Sequence, residues 1–185
     1  MKKSNFSKKI AMLGHIIPVK RVYEVILMLA ELRGRGFDYT LHIGGQPKKD
    51  FVNQRYYASI LEAIENLGLG QCIFFDGWVD PAKWLPKMDI FLSNSYWEGQ
   101  QNALIEAMAS GCYCLCHFWG GAEEILPAEC LYSSETSMLE KIIQYSEMQN
   151  DEKRFWQNRM RSIAVKKFNL TDSVRKYREL IQSMI

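Results

Sequence analysis

The chain has 185 residues, 48% of them hydrophobic and 24% charged, with a formal net charge of +2. That balance is the one expected of a globular protein long enough to bury a sizeable core in one domain or a little more. It shows no basic stripe of the kind a nucleic-acid partner requires, no apolar run of transmembrane length and no signal peptide.

Residues 1–8 are polar and basic (Lys2, Lys3, Lys8) and read as a disordered lead-in, with one domain following over residues 9–185. A short strand is predicted over residues 9–13, then a turn from Gly14 to Arg21. Val22, Val25, Ile26, Leu29 and Leu32 recur at helical spacing, which predicts an amphipathic helix over 19–33, closed by Gly34 and Gly36. Residues 39–43 form a second strand, with His42 a core residue in its middle. A helix over 51–67 should turn Ile60, Leu61, Ile64 and Leu67 inward. A third strand is expected over 72–75, and Asp80-Pro81 opens a short helix over 82–88 with Trp84 and Leu85 inward.

The centre of the chain is the stretch DIFLSNSYWEGQQNALIEAMASGCYCLCHFWGGAEEIL, residues 89–126. It reads as a buried strand (89–92), a polar loop (93–99), a helix over 103–110 that Asn102 caps and Gly111 ends, and a strand over 113–117 before Gly120-Gly121. Strand, loop, helix and strand make the βαβ unit of a parallel sheet, with ligands bound beyond the strands' carboxyl ends. A further short strand over 130–132 precedes three helices, over 136–149, 152–168 and 171–185, the last capped by Thr171. Phe155, Trp156, Phe168 and Tyr177 on these helices are expected in the core. The whole is an α/β three-layer domain with a parallel sheet and C-terminal helices.

Cys112, Cys114 and Cys116 alternate along a predicted strand, but C-x-C-x-C is not the spacing of a zinc site. Five unpaired cysteines behaving as small buried apolar groups point to a reducing, cytoplasmic setting.

Two carboxylates bracket the central loop and helix. In one continuous helix Glu98 and Glu106 would lie about 80° apart around the axis. Glu98 therefore belongs to the loop and Glu106 to the helix. Between them, Gly99 allows close backbone approach, and Gln100, Gln101 and Asn102 offer amide N–H groups at a helix start, which suits an anion. Carboxylates beside an anion site suit a ligand that also carries hydroxyls. A sugar nucleotide has both features.

Glu98-Gly99, then EAMASG from Glu106 to Gly111, then Gly120-Gly121 and Glu124, resemble the E-x7-E signature and its sequel in the group 1 (family four) glycosyltransferases. The resemblance covers about residues 9–126, with a weaker echo in the C-terminal helices. It implies a Rossmann-like half of a GT-B fold, the C-terminal domain that binds the nucleotide-diphosphate sugar of a retaining enzyme. It also implies a role in polysaccharide or glycan biosynthesis, and peripheral association of the complete enzyme with a membrane.

By the same resemblance, Lys20 neutralises the donor diphosphate, while His15 stands where the family has arginine and Arg21 where it has glycine. His15 is either a phosphate contact or a strand-end residue facing water, with Arg21 replacing some of the charge. Gly77, Trp78 and Val79 match the loop that holds the base, and Trp78 either stacks on the base or packs. Glu98 would hold the transferred sugar, helped by the backbone of Gly99, Gln100, Gln101 and Asn102, and Glu106 the ribose. Glu98 and Lys20 are the catalytic candidates. No D-x-D and no metal-like cluster stands in the chain, so no metal and no cofactor is expected beyond the donor substrate. The resemblance further implies an N-terminal acceptor-binding domain outside this chain, without which the chain would be inactive. The rival readings are a non-catalytic nucleotide-binding module, a sugar-nucleotide epimerase or glycogen-type phosphorylase of similar fold, and a flavodoxin-like signalling domain. The last would want an acidic pocket where His15 and Lys20 stand.

Overall fold

A computed structural model describes residues 6–184 of the chain. Six parallel strands alternate with helices: β1 (Lys9–Leu13), β2 (Thr40–Gly44), β3 (Ile73–Gly77), β4 (Ile90–Ser93), β5 (Tyr113–His117) and β6 (Leu131–Tyr132). They lie in the order β3-β2-β1-β4-β5-β6. Strands buried on both faces read as continuous apolar runs, and Ile90 to Leu92 of β4 and Tyr113 to Cys116 of β5 fit that pattern, each 3% exposed or less. Cys112, Cys114, Cys116 and Cys130 are buried and Cys72 is half-buried, none of them in a disulfide. Of the expected lead-in, residues 1–5 lie outside the described part. Ser7 donates its hydroxyl to the Lys87 carbonyl and the Asp89 carboxylate, 3.0 Å each.

Helices α1 (Val22–Gly34), α2 (Phe51–Asn66) and α6 (Glu135–Glu147) form one packed group, since α1 contacts both of the others. Helices α3 (Pro81–Trp84), α4 (Asn102–Ala109) and α7 (Asn150–Lys167) form another around α4. The four-residue α5 (Ala122–Ile125) follows β5, and α8 (Leu170–Ser183) ends the described chain. Among the described residues, no helix is long and apolar enough to cross a membrane.

Several local expectations need correction. The predicted helix over 19–33 is broken at Arg21, whose φ of 52° separates a 3-10 turn (Pro18–Lys20) from α1. The carbonyl of Arg21 is drawn away to accept a bond from Asn94, which an unbroken helix would not allow. Leu61 and Leu67 are exposed rather than inward, because α2 flanks the sheet's edge strand. Tyr56 and Tyr57 take part of the inward face instead: Tyr57 meets Phe75 edge-on, and the Tyr56 hydroxyl accepts from the Tyr23 N–H. His42 is mostly covered, with its side chain 12% exposed, but its surroundings are mixed: it stacks on Phe74 with centroids 4.8 Å apart, its Nδ1 lies 3.1 Å from the Asp76 carboxylate, and its buried Nε2 has no hydrogen-bond partner among the described residues.

Helix caps also shift. Asn169, not Thr171, caps α8 by accepting from the Thr171 N–H at 2.9 Å, and α4 starts after Gln101, so Asn102 is its first helical residue. Phe155 and Tyr177 are 60% and 68% exposed, because no described element covers their faces of α7 and α8. Trp156 and Phe168 do pack on the core.

The turns after β1, β2 and β3 converge. The Gly14 N–H bonds to the Gly44 carbonyl at 2.9 Å and the Gly45 N–H to the Gly77 carbonyl at 2.6 Å. Gly45 has φ +129°, and a Cβ there would stand 1.9 Å from the Gly14 oxygen. Only glycine allows both the angle and the approach. Gly45→Ala is therefore expected to cost at least about 2 kcal/mol of stability. Urea unfolding followed by circular dichroism checks this, and an unchanged midpoint would mean that the three turns are not locked together.

Candidate functional site

In a sheet of this order the connections leave β1 and β4 toward opposite faces, so a crevice opens between their carboxyl ends. Its lining comes from the ends of these two strands and from the loops that leave them. Gly14, His15 and Lys20 come from the β1 side; Ser93, Asn94, Ser95 and Gln101 come from the β4 side. Two of the residues singled out in the first turn, His15 and Lys20, thus meet the central segment despite a separation of about eighty positions in sequence.

Polar side chains at the β4 end are buried and fully engaged. Ser93 donates to Gln101 Oε1 at 2.7 Å, and Asn94 donates to the Arg21 carbonyl at 3.0 Å. The Tyr132 hydroxyl donates to Asn94 Oδ1 at 2.9 Å. Burying such groups unpaired would be costly, so this network holds one conformation of the loop. Ser93, Asn94, Ser95 and Tyr132 were not singled out by sequence reasoning. A polar triplet directly after an apolar strand is the signal available for the first three, whereas nothing in the sequence points to Tyr132.

Glu98 is the hub of the loop. Its Oε1 accepts from Lys20 Nζ, from the Ser95 hydroxyl at 2.6 Å and from Gln101 Nε2 at 3.4 Å. Lys20 and Glu98 are each about four-fifths covered, with side-chain exposures of 22% and 19%, so the ion pair is partly shielded from solvent. Among the described residues Glu98 Oε2 has no protein partner and is available to accept from a bound hydroxyl. Gln101, expected to offer only its backbone, instead sends its side chain into the crevice and links Ser93 to Glu98. That use of the amide explains why α4 has no side-chain cap. Asn102 is exposed, and its N–H is taken by the Gln100 carbonyl at 3.1 Å. Gly99 and Gln100 are exposed in the loop before it.

The remaining candidates lie around this centre. His15 is exposed at the crevice mouth, with Nδ1 3.4 Å from the Gln46 carbonyl and its ring edge-on to Trp78, centroids 5.8 Å apart. Trp78 is 74% exposed and therefore presents an open indole face beside His15. Gly77, at φ +65°, ends β3, and Val79 packs toward Gly44. Glu106 sits on the exposed face of α4, and partial desolvation raises its carboxyl above the usual range. Neither a hydrogen bond nor an ion pair joins the Glu106 side chain to a crevice residue among the described residues. The structure thus brings His15, Lys20, Glu98 and Gln101 together, with Trp78 adjoining, and leaves Glu106 outside their hydrogen-bond network.

A family model for glycosyl transferases group 1 matches residues 7–147, and no curated protein sequence matches. Among solved structures, Anabaena HepE in complex with UDP superposes with a TM-score of 0.85 at 20% identity, over 95% of this chain and 48% of its own. Staphylococcus aureus TarM, in a complex that includes UDP, gives 0.79 at 20% identity, over 96% of this chain and 36% of its own. The C-terminal domain of the Francisella tularensis glycosyl transferase LpcC gives 0.78 at 19% identity, over 88% of this chain and 86% of that domain. The chain spans about a third to a half of the HepE and TarM lengths, and nearly all of the isolated LpcC domain. With three quarters of its residues under the family model and the parallel α/β architecture of those structures, the chain belongs to the group 1 glycosyl transferases.

Proposed function

We propose that this chain is the donor-binding domain of a glycosyltransferase that moves a sugar from a nucleotide-diphosphate donor with retention at the anomeric carbon, no metal ion or cofactor taking part. The observation that carries the reading is the Lys20–Glu98 pair at the mouth of the β1/β4 crevice, which joins a cation for phosphate to a carboxylate for hydroxyls. The solved HepE and TarM complexes contain UDP, which supports a nucleoside diphosphate as the occupant.

In this reading the diphosphate lies over the start of α4 and draws Lys20 away from Glu98. A departing diphosphate gains negative charge, and a fixed ammonium beside it stabilises the transition state more than the ground state. Glu98, released on one side and still held by Ser95 and Gln101, accepts from the hydroxyls of the transferred sugar. The backbone of Gly99, Gln100, Gln101 and Asn102 lines the same path. Trp78, with Gly77 and Val79, faces the base. His15 supplies a second polar contact to phosphate, and Glu106 accepts from the ribose hydroxyls.

Transfer also needs an acceptor held against the donor, and positioning of two reactants accounts for about 7–11 kcal/mol of a barrier. The outer face of α8 supports an apposed acceptor-binding domain. Leu170, Val174, Tyr177, Ile181 and Met184 recur every three or four residues along it, and all five are exposed. An exposed apolar stripe of that kind marks an interaction surface.

Thermal-shift measurements with UDP, GDP, ADP and their sugars test the reading directly, because a ligand that binds the folded state raises the melting temperature. No shift with any of them would overturn it. Lys20→Ala should weaken a nucleoside diphosphate about tenfold or more while sparing the bare nucleoside, since it removes a charge-assisted bond and leaves Glu98 unpaired beside the phosphate. Equal losses for both ligands would take Lys20 out of the phosphate site.

The two glutamates are expected to separate. Glu98→Gln frees Lys20 and so leaves nucleoside-diphosphate affinity unchanged or raised, while lowering affinity for the nucleotide sugar. Glu106→Gln lowers both. Because the Glu106 carboxyl is raised and only its ionised form accepts two hydroxyl bonds, nucleoside-diphosphate affinity should fall as pH drops through a point above the usual carboxylate range. Glu106→Gln should abolish that step, and calorimetry across pH reads both effects. A radiolabelled sugar-transfer assay completes the set. The 185-residue chain alone should transfer nothing, and robust transfer by it would place the acceptor site within these helices.

A further inference from the structure

Arg21 stands in a conformation that L-residues avoid. Its φ and ψ are 52° and 44°, and Lys8 is the only other described non-glycine residue with positive φ. A glycine would take that turn without cost, so the arginine side chain offsets the strain by what it does. The side chain is buried, 8% exposed. It forms an ion pair with Glu135 at the start of α6, approaches Glu24 at 3.5 Å, and lays its guanidinium over the Tyr96 ring, 4.6 Å from the centroid.

Tyr96 belongs to the loop that carries Glu98, and the contacts extend along both backbones. The Tyr96 N–H bonds to the Val19 carbonyl at 3.1 Å, and Asn94 bonds to the Arg21 carbonyl at 3.0 Å. Left-handed backbone at residue 21 turns that carbonyl toward Asn94. The guanidinium, held by two carboxylates, forms a fixed plate on which the Tyr96 ring rests. Paired in this way, Arg21 contributes little net charge to the crevice, so phosphate neutralisation is not its task.

We propose that Arg21 is a positioning residue for the site described above: its backbone and guanidinium together lock the loop of residues 94–98 so that Glu98 faces Lys20 and the donor sugar. The inference rests on the proposed donor-binding role for the identity of the ligand, but the locking itself is independent of it.

Hydrogen exchange of the 185-residue chain separates the two. Arg21→Gly keeps the turn and removes the plate, so the amides of residues 95–98 should exchange at least tenfold faster while those of β1, β4 and β5 keep their protection. Glu135→Gln, which leaves residue 21 intact, should move the same amides in the same direction by less. Arg21→Lys should restore protection only in part, because an ammonium lacks the planar fork that stacks and pairs at once. Unchanged loop exchange in Arg21→Gly would overturn the proposal. So would a uniform loss of protection across the sheet, the mark of a residue that serves stability alone.

Affinities for UDP and UDP-glucose provide the second readout. Arg21→Gly should weaken UDP-glucose at least fivefold more than UDP, since Glu98 is the group set loose. A loosened loop with both affinities at the wild-type level would overturn the link to Glu98. Failure of the wild-type chain to bind either nucleotide would count against the proposed function, with the locking then decided by exchange alone.

Discussion

The structure depends on one joint: the contact between the turn after β1 and the loop after β4. Parallel strands whose connections leave toward opposite faces expose backbone and polar side chains at their carboxyl ends, and these must be paired or solvated. Here the two segments satisfy one another. Asn94 takes the Arg21 carbonyl, Tyr96 takes the Val19 carbonyl, and Lys20 takes Glu98. The sheet behind them is the rigid frame that brings segments distant in sequence to the same place.

Charge at this joint is arranged in two tiers. Arg21 is surrounded by Glu24 and Glu135 and stays in place as structure. Among the described residues Lys20 pairs with Glu98 alone, and Glu98 has two further donors, Ser95 and Gln101. A partly shielded pair of this kind neutralises itself, which avoids the cost of an isolated half-buried charge.

Packing elsewhere follows the demands of that frame. On the β5 side Tyr113 stacks on Tyr145 with centroids 4.3 Å apart, while Trp156 meets Tyr113 edge-on, so aromatic contacts tie α6 and α7 to the sheet. Helix α8 lies beyond this layer and buries none of its residues within the chain. Its apolar residues fall on one side of the helix and stay exposed among the described residues.

The sequence by itself determined the alternation of strands and helices, since apolar runs bounded by Gly, Pro and Asp carry local information about period and turns. It also marked Glu98 and Glu106, which bracket a polar loop and a helix start at a strand end, and it marked Lys20 through the resemblance of its turn to that of the family. Only the tertiary structure decided how these residues relate. The ion pair of Lys20 with Glu98, the side chain of Gln101 reaching into the crevice, and the Tyr132 bond to Asn94 join positions between 8 and 78 apart in sequence. Local propensity contains no term for such pairs; the strand order creates them. Arg21 shows the division most clearly: a helical period runs through it in sequence, yet its carbonyl and guanidinium answer to Asn94, Tyr96 and Glu135, and those long-range bonds override the local preference for helix.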